Sequence, residues 1–434
     1  MFQCIMRKPF AILLTAMLLI SSLMSSAALA AENGVVVEAN SESATGMTAT
    51  FTYENAEAKN VQIMGGFTFY RPNDAYMISG GQLNLDGGIV DPAHILTPDT
   101  WEPGVSRFGD AGYVADMTPD ESTGKWSISV DLPSGSYLYQ YVVTDADGNE
   151  TTITDPANVP AVNALGASQV RSQFYVPFVS GKQAPADDWT FVMPVDNETA
   201  RGKLIWTEYE RMKYEGEESN AQQIMIYLPP AYDASREEPY KVLYLCHGGG
   251  GEEGDWFNQG NADNIVDRLI ASGDIEPFII AAIDISKGTD TELVQNVLEY
   301  TIPYIEANYN VSKEVNGRAF AGLSKGGKLT YAVYQYASDK FGYFGVFSVG
   351  HPSSDYSILD AVALNQPVLY LSVGFADMTY DFPFQKGQIP MAPYSVYLTK
   401  CGVKYIGLKV MEGSHDWFTW QQTLRDFVRS TLWK

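Results

Sequence analysis

Gly322-Leu323-Ser324-Lys325-Gly326, followed by Gly327, sets one serine among glycines where a short apolar run, Ala319-Phe320-Ala321, meets a helical one. In a strand–turn–helix context this spacing makes a nucleophile elbow. The tight turn lifts the hydroxyl above the sheet. Side chains at the flanking glycine positions would collide with the neighbouring strand and helix. The chemistry implied is attack of an activated hydroxyl on a carbonyl carbon. At the helix start, the backbone N–H of Lys325 points toward the oxyanion that such attack creates. A second donor is required. His247-Gly248-Gly249-Gly250-Gly251, directly after an apolar run, offers amides that no side chain obstructs. Gly249 is the favoured donor and Gly250 the alternative.

The base for such a serine is a histidine, and the chain has four. His94 lies in an N-terminal excursion. His247 belongs to the glycine loop, where it braces the backbone. His351 precedes Pro352 and is either structural or pocket-lining. His415, in Glu412-Gly413-Ser414-His415-Asp416-Trp417, falls between the last strand-like and the last helical run, where a loop-borne base belongs. The acid lies between nucleophile and base in chain order. Asp377, at the end of Gly374-Phe375-Ala376-Asp377, is the favoured residue and Asp381 the runner-up. Asp355 and Asp360 fit less well. Aromatic residues gather around these positions: Trp256, Phe375, Tyr380, Phe382, Phe384, Trp417 and Trp420. Core packing explains most such rings. Trp256, Phe375 and Trp417 are nonetheless candidates to stack on a substrate. No Cys/His spacing suggests a metal, and no cofactor is implied.

The elements that must position these residues follow from hydrophobic patterning. Residues 188–434 alternate strand-like runs (203–207, 223–228, 241–246, 278–283, 318–321, 344–348, 368–373, 405–411) with helical ones (262–271, 292–308, 325–337, 392–401, 417–430). Near-continuous apolar strands separated by helices predict an α/β fold with a mostly parallel sheet covered on both faces. Residues 34–177 differ. Short alternating runs at 47–53, 61–67, 125–132, 137–144 and 173–176, broken by Gly, Asp and Pro turns, predict a β-sandwich. Residues 68–112 interrupt it as a long excursion rich in Gly, Asp and Pro, a length that often carries function. The small polar stretch 179–189 marks the boundary. The domains expected are therefore a leader at 1–30, a sandwich at 31–178, the linker at 179–189 and an α/β domain at 190–434.

The leader is an export signal. Arg7 and Lys8 precede an apolar run from Phe10 to Ile20, and Ala28-Leu29-Ala30 suits cleavage after Ala30. The run is short for a membrane span. The chain carries a formal net charge of −24, and the leader holds two of its basic residues and no acidic one. Such a surface repels nucleic acid and anionic membranes and suits an extracellular enzyme acting on neutral polymers. Cys246 and Cys401 are expected to be buried free thiols. The sequence does not indicate an oligomeric state.

The runs Leu243–Trp256 (LYLCHGGGGEEGDW), Ile302–Tyr309 (IPYIEANY), Arg318–Gly327 (RAFAGLSKGG) and Gly413–Trp420 (GSHDWFTW) resemble the esterase D group, carbohydrate esterase family 1, which includes feruloyl and acetylxylan esterases. The resemblance implies an α/β-hydrolase fold, a triad of Ser324, Asp377 and His415, and an oxyanion hole of the Gly249 and Lys325 amides. Lys325 stands where the family often has Met, although only its backbone is needed. The N-terminal half, through NVQIMGGF, GKWSISVDLPSGSYLYQYVV and Asp155-Pro156-Ala157-Asn158, resembles the immunoglobulin-like early-set domains related to carbohydrate-binding module family 48. Such domains bind glycan or only pack against the enzyme. The function implied is a secreted serine esterase acting on feruloylated or acetylated xylan. The rivals are a siderophore or other small-ester hydrolase, and an inactive glycan-binding protein.

Overall fold

A computed structural model describes residues 29–30, 34–71, 94–109, 112–160, 171–214, 217–351, 362, 364–381, 389–401 and 403–434. In the N-terminal half, Met47–Glu54 buries every second side chain through Phe51 and pairs antiparallel with Val35–Ala39 and Lys125–Asp131. Leu29–Ala30 and Thr118–Asp120 complete this sheet at its edges. In the second sheet Gly135–Thr144 is central. It pairs antiparallel with Asn60–Gly65 on one side and with Ser172–Val176 and Glu150–Ile153 in succession on the other. Phe51, Phe67, Tyr137, Tyr139 and Phe174 pack ring against ring in one core cluster drawn from both sheets. Asp155 is buried and accepts hydrogen bonds from the Tyr139 hydroxyl at 2.6 Å and the Tyr141 hydroxyl at 3.2 Å. Its motif thus ties a turn to the sheet. Glu150–Ile153 escapes sequence reading because three of its four residues are exposed and no alternation survives.

The excursion is not wholly loop. Phe69–Tyr70 pairs antiparallel with Ser106–Arg107, Phe69 also bridges Leu96, and the Thr68 hydroxyl bonds the Phe108 carbonyl. Residues 72–93 and 110–111 of it lie outside the described residues. The boundary segment is docked on both halves. Gln183 accepts from the Ser134 N–H and donates to the Thr45 carbonyl, while Trp189 stacks on Phe418 at 4.0 Å between ring centroids.

The C-terminal half is built on an eight-stranded sheet. Its spatial order is Lys203–Glu210, Ala221–Leu228, Ile279–Ile283, Val242–Cys246, Arg318–Leu323, Tyr343–Phe347, Val368–Gly374 and Tyr405–Met411. Ala221–Leu228 runs antiparallel to both of its neighbours, and every later pairing is parallel. This is the α/β-hydrolase arrangement. The five inner strands from Ile279–Ile283 through Val368–Gly374 are buried at nearly every position, as strands covered on both faces must be. The helix expected over 292–308 is continuous from Asp290 but widens to a π turn at Val297–Thr301. Pro303, with no N–H to donate, follows that turn.

Candidate active site

Ser324 sits between the strand Arg318–Leu323 and the helix Lys325–Tyr336 at φ +50° and ψ −113°. Such a backbone costs a non-glycine residue of order 1–3 kcal/mol and persists only when its surroundings impose it. The glycines show what imposes it. A Cβ at Gly322 would stand 2.5 Å from the Gly326 carbonyl carbon, and one at Gly326 would stand 2.5 Å from the His247 carbonyl oxygen. Strand, elbow and helix therefore touch through bare backbone. The Ser324 N–H donates to the Phe347 carbonyl at 2.9 Å, which pins the elbow to the next strand.

The glycine loop passes beside Ser324, since a Cβ at Gly248 would lie 3.6 Å from Ser324 Cβ. Gly249 is exposed, with open space where its side chain would be, and Gly250 takes φ +73°. His247 is buried and braces this loop. Ile285 N–H donates to its Nε2 at 2.9 Å, so the ring proton sits on Nδ1, 2.7 Å from the Gly248 carbonyl. The Lys325 ammonium donates to the carbonyls of Ile285 at 2.7 Å and Ser286 at 3.1 Å. Burial pulls its pKa down, partly offset by Asp284 and Asp290.

Across the sheet's C-terminal edge, His415 Nδ1 lies 3.0 Å from Asp377 Oδ2. The His415 side chain is 17% exposed and that of Asp377 is fully buried. The Thr379 N–H and hydroxyl both donate to Asp377 Oδ1 at 2.8 Å. Burial pushes the Asp377 carboxyl up, but the charge and hydrogen bond of His415 and the Thr379 donors outweigh it, so the group lies below the usual carboxylate range. Trp420 sets its ring edge-to-face against His415 at 5.2 Å and donates from Nε1 to Ser348 Oγ at 2.9 Å. Ser348 itself holds a left-handed backbone at φ +52°.

The structure thus brings His415 and Asp377 together. Asp381 lies at the end of the same turn and is exposed, while Asp355, Asp360, Phe382 and Phe384 lie outside the described residues. Two expectations for substrate stacking are corrected. Trp256 has no exposed surface, donates from Nε1 to the Cys246 carbonyl and packs edge-on against Phe347 and Trp417. Trp417 is 7% exposed and wedged between Trp256 and Trp420. Both rings are packed inward, away from solvent. Phe375, two residues before Asp377 in the chain, is half-buried. Cys246 is buried, as expected, but Cys401 is only half-buried, and both are free thiols. His351 stacks on Tyr394 at 4.4 Å and contacts Gln335, a structural placement. Sequence reading missed Thr379 and Ser348, and grouped Trp420 with the nearby rings without giving it a role. Asp377-Met378-Thr379 carries a usable signal, because a threonine two residues after an aspartate caps its carboxylate locally. Among the described residues no cluster of His, Cys, Asp and Glu could hold a metal ion.

Residues 219–431 match the family described as "Esterase". An endo-1,4-beta-xylanase/feruloyl esterase of Xylanibacter ruminicola is 31% identical over 75% of this chain and 42% of its own length. An endo-1,4-beta-xylanase Y of Acetivibrio thermocellus is 30% identical over 32% of this chain and 14% of its own length. The chain thus spans less than half the length of these curated relatives. Among solved structures, a ferulic acid esterase of Anaeromyces mucronatus superposes with TM-score 0.45 at 20% identity, covering 56% of this chain and 95% of that one. The enterobactin esterase of Shigella flexneri superposes with TM-score 0.46 at 13% identity, covering 88% of this chain and 92% of that one. The family match runs from the strand Ala221–Leu228 through the later strands of the sheet, the Ser324 elbow and the His415 loop, and leaves out the edge strand Lys203–Glu210.

Proposed function

We propose that the chain is a secreted serine esterase that removes feruloyl or acetyl groups from plant cell-wall xylan through an acyl-enzyme. The observation that carries the mechanism is the 3.0 Å contact between His415 and buried Asp377 on the sheet edge that also bears the Ser324 elbow. The Ser324 hydroxyl attacks the ester carbonyl and its proton passes to His415 Nε2. Asp377 holds the ring with its proton on Nδ1 and stabilises the imidazolium. The N–H groups of Lys325 and Gly249 receive the oxyanion. Collapse breaks the bond to the sugar oxygen, which leaves as a hydroxyl with the proton from His415. Water then repeats the sequence on the acyl-serine and releases the acid.

The substrate class draws support from the relative named as a xylanase/feruloyl esterase and from Phe375, a half-buried ring two residues before the acid that suits a planar hydroxycinnamoyl group. The net charge of −24 favours a neutral polymer over an anionic one. Export would follow from the leader. Cleavage after Ala30 removes the edge pair Leu29–Ala30 and leaves its partner Val35–Ala39 in the sheet.

The test is release of ferulate from methyl ferulate and of acetate from acetylated xylan, by wild type and Ser324→Ala. Ferulate release that the variant loses supports the feruloyl reading. Acetate release alone moves the substrate to acetylxylan on the same residues. Turnover of enterobactin with neither of the others would replace xylan by a siderophore, and xylan binding without any ester turnover would overturn catalysis.

A further inference from the structure

The excursion from the N-terminal half ends on the two loops that carry His415 and Asp377. Tyr70 is buried, and its hydroxyl accepts the Gly413 N–H at 3.0 Å, two residues before the histidine. The Gly413 carbonyl in turn accepts the Ala376 N–H at 2.9 Å, one residue before the acid. Tyr70, Phe108 and Ala376 form one small buried apolar cluster, the Tyr70 and Phe108 rings meeting edge-on at 5.9 Å. Two further bonds fasten the same loop: Ser106 Oγ donates to Glu412 Oε2 at 2.7 Å, and the Gly109 N–H donates to Asp416 Oδ2 at 3.0 Å. Asp416 is buried and also accepts from Ser414 Oγ at 2.6 Å and from the Thr419 N–H at 3.0 Å, so it caps the last helix. Arg107, between Ser106 and Phe108, lays its guanidinium 4.1 Å over the Tyr137 ring and 5.1 Å from the Phe418 ring. Residues on both sides of His415 are thus held by a segment more than 300 positions upstream.

We propose that Tyr70, with Ser106 and the Gly109 amide, positions the His415–Asp377 pair, so that the N-terminal half completes the catalytic geometry of the esterase domain. The proposal rests on the Ser-His-Asp reading above. Tyr70 acts through Gly413 and Ala376 and touches no reacting atom, which makes it a positioning residue. Its hydroxyl satisfies a buried N–H that would otherwise be orphaned. Its ring backs the turn from which Asp377 projects. Removing the hydroxyl frees the Gly413 peptide to tilt, and a shift of this kind in the base is felt in the chemical step rather than in substrate binding.

The experiment uses the full chain and methyl ferulate, a small ester whose turnover does not depend on glycan contacts. Wild type, Tyr70→Phe, Ser106→Ala, Asp377→Asn and Tyr70→Phe/Asp377→Asn are compared in kcat and KM, with thermal unfolding as the folding control. Tyr70→Phe is expected to lower kcat about tenfold with KM within about twofold, because a small displacement of a catalytic group is costly. In the Asp377→Asn background the same change should alter kcat by less than about twofold, since residues acting as a unit are not additive. Wild-type kcat in a folded Tyr70→Phe, a change confined to KM, or an equal factor in both backgrounds would overturn the proposal. If Tyr70→Phe does not fold, Ser106→Ala in the two backgrounds decides by the same criteria. Full activity in Asp377→Asn would instead overturn the triad reading itself, and the proposal with it.

Discussion

The serine side and the histidine side of the candidate site are held in different ways. Ser324 is fixed by its immediate neighbours and by the next strand: Gly322 against Gly326, Gly326 against the His247 carbonyl, and its own N–H on Phe347. All of these lie on adjacent strands of one sheet or in the loop and helix that directly follow them. His415 and Asp377 project from loops whose side chains are tied to Thr379, to the final helix and to Ser106 and Gly109 of the other half, and whose Gly413 N–H is tied to Tyr70. A nucleophile held by bare backbone contact depends little on the rest of the molecule. A base held by side chains from distant segments makes its geometry conditional on how the two halves dock.

The comparison breaks most sharply at the acid. Asp377→Asn removes the carboxylate that orients His415 while the Ser324 elbow stays intact. The expected loss in kcat is roughly 10³- to 10⁴-fold on methyl ferulate, as for an acid that fixes the tautomer of its histidine. Labelling of Ser324 by a fluorophosphonate should persist at a reduced rate. Asp381→Asn, at an exposed position, should leave kcat unchanged. A large loss there with none in Asp377→Asn would reverse the assignment of the acid.

The same contrast explains what could be read from the sequence. The elbow and the glycine loop were legible because their geometry needs particular residue types at fixed spacing, and Gly322, Ser324 and Gly326 have no substitutes there. The sheet was legible because runs such as Ile279–Ile283 and Val242–Cys246 are apolar throughout. His415 followed from chain order and loop position. The substrate aromatics did not follow, because Trp256 and Trp417 sit on the expected loops but turn inward, and direction is a property of packing, not of position. Tyr70 could not be found at all. Its partner Gly413 is 343 residues away, and nothing local marks a tyrosine whose hydroxyl will cap a distant backbone amide.

A second test strikes the elbow. Gly326→Ala forces a Cβ to within 2.5 Å of the His247 carbonyl oxygen and 2.7 Å of the Cys246 carbonyl oxygen, both backbone atoms that cannot swing aside. Urea unfolding should show a loss of about 2–3 kcal/mol, the usual cost of overpacking a rigid site. Gly249→Ala meets open space and should stay within about 0.5 kcal/mol of wild type. Equal effects at the two positions would mean that the elbow is not held by close backbone contact.

A third, smaller effect is expected at Trp420. Phenylalanine there keeps a ring against His415 but removes the Nε1–H donated to Ser348, whose left-handed backbone lies beside the pair. Loss of a supporting hydrogen bond of this kind should lower kcat about tenfold. KM for methyl ferulate should stay within about twofold. A change in KM alone would place Trp420 in substrate binding and remove it from the support of His415.

The smallest effect concerns the loop on the serine side. Glu252 follows the glycine loop and is 6% exposed. Burial pushes its carboxyl up to about 8, with the charges of Glu253, Asp255 and Asp284 adding to the rise. The folded state therefore keeps a proton that the unfolded chain gives up near the ordinary value of about 4.3. Between about pH 4.3 and 8 the folded state binds more protons than the unfolded one, so this group lowers stability as pH rises, and its contribution levels off above 8. Glu252→Gln removes that slope. Its Tm should match wild type at pH 4.5 and exceed it at pH 8. If the serine side is as self-contained as its contacts suggest, kcat/KM at pH 7 should stay within about twofold while the Tm profile flattens. A Tm profile that keeps its wild-type slope would place the burial cost on another carboxyl. A fall in kcat/KM with the slope removed would tie Glu252 to the geometry of the Gly249 amide, and the serine side would then be as conditional as the histidine side.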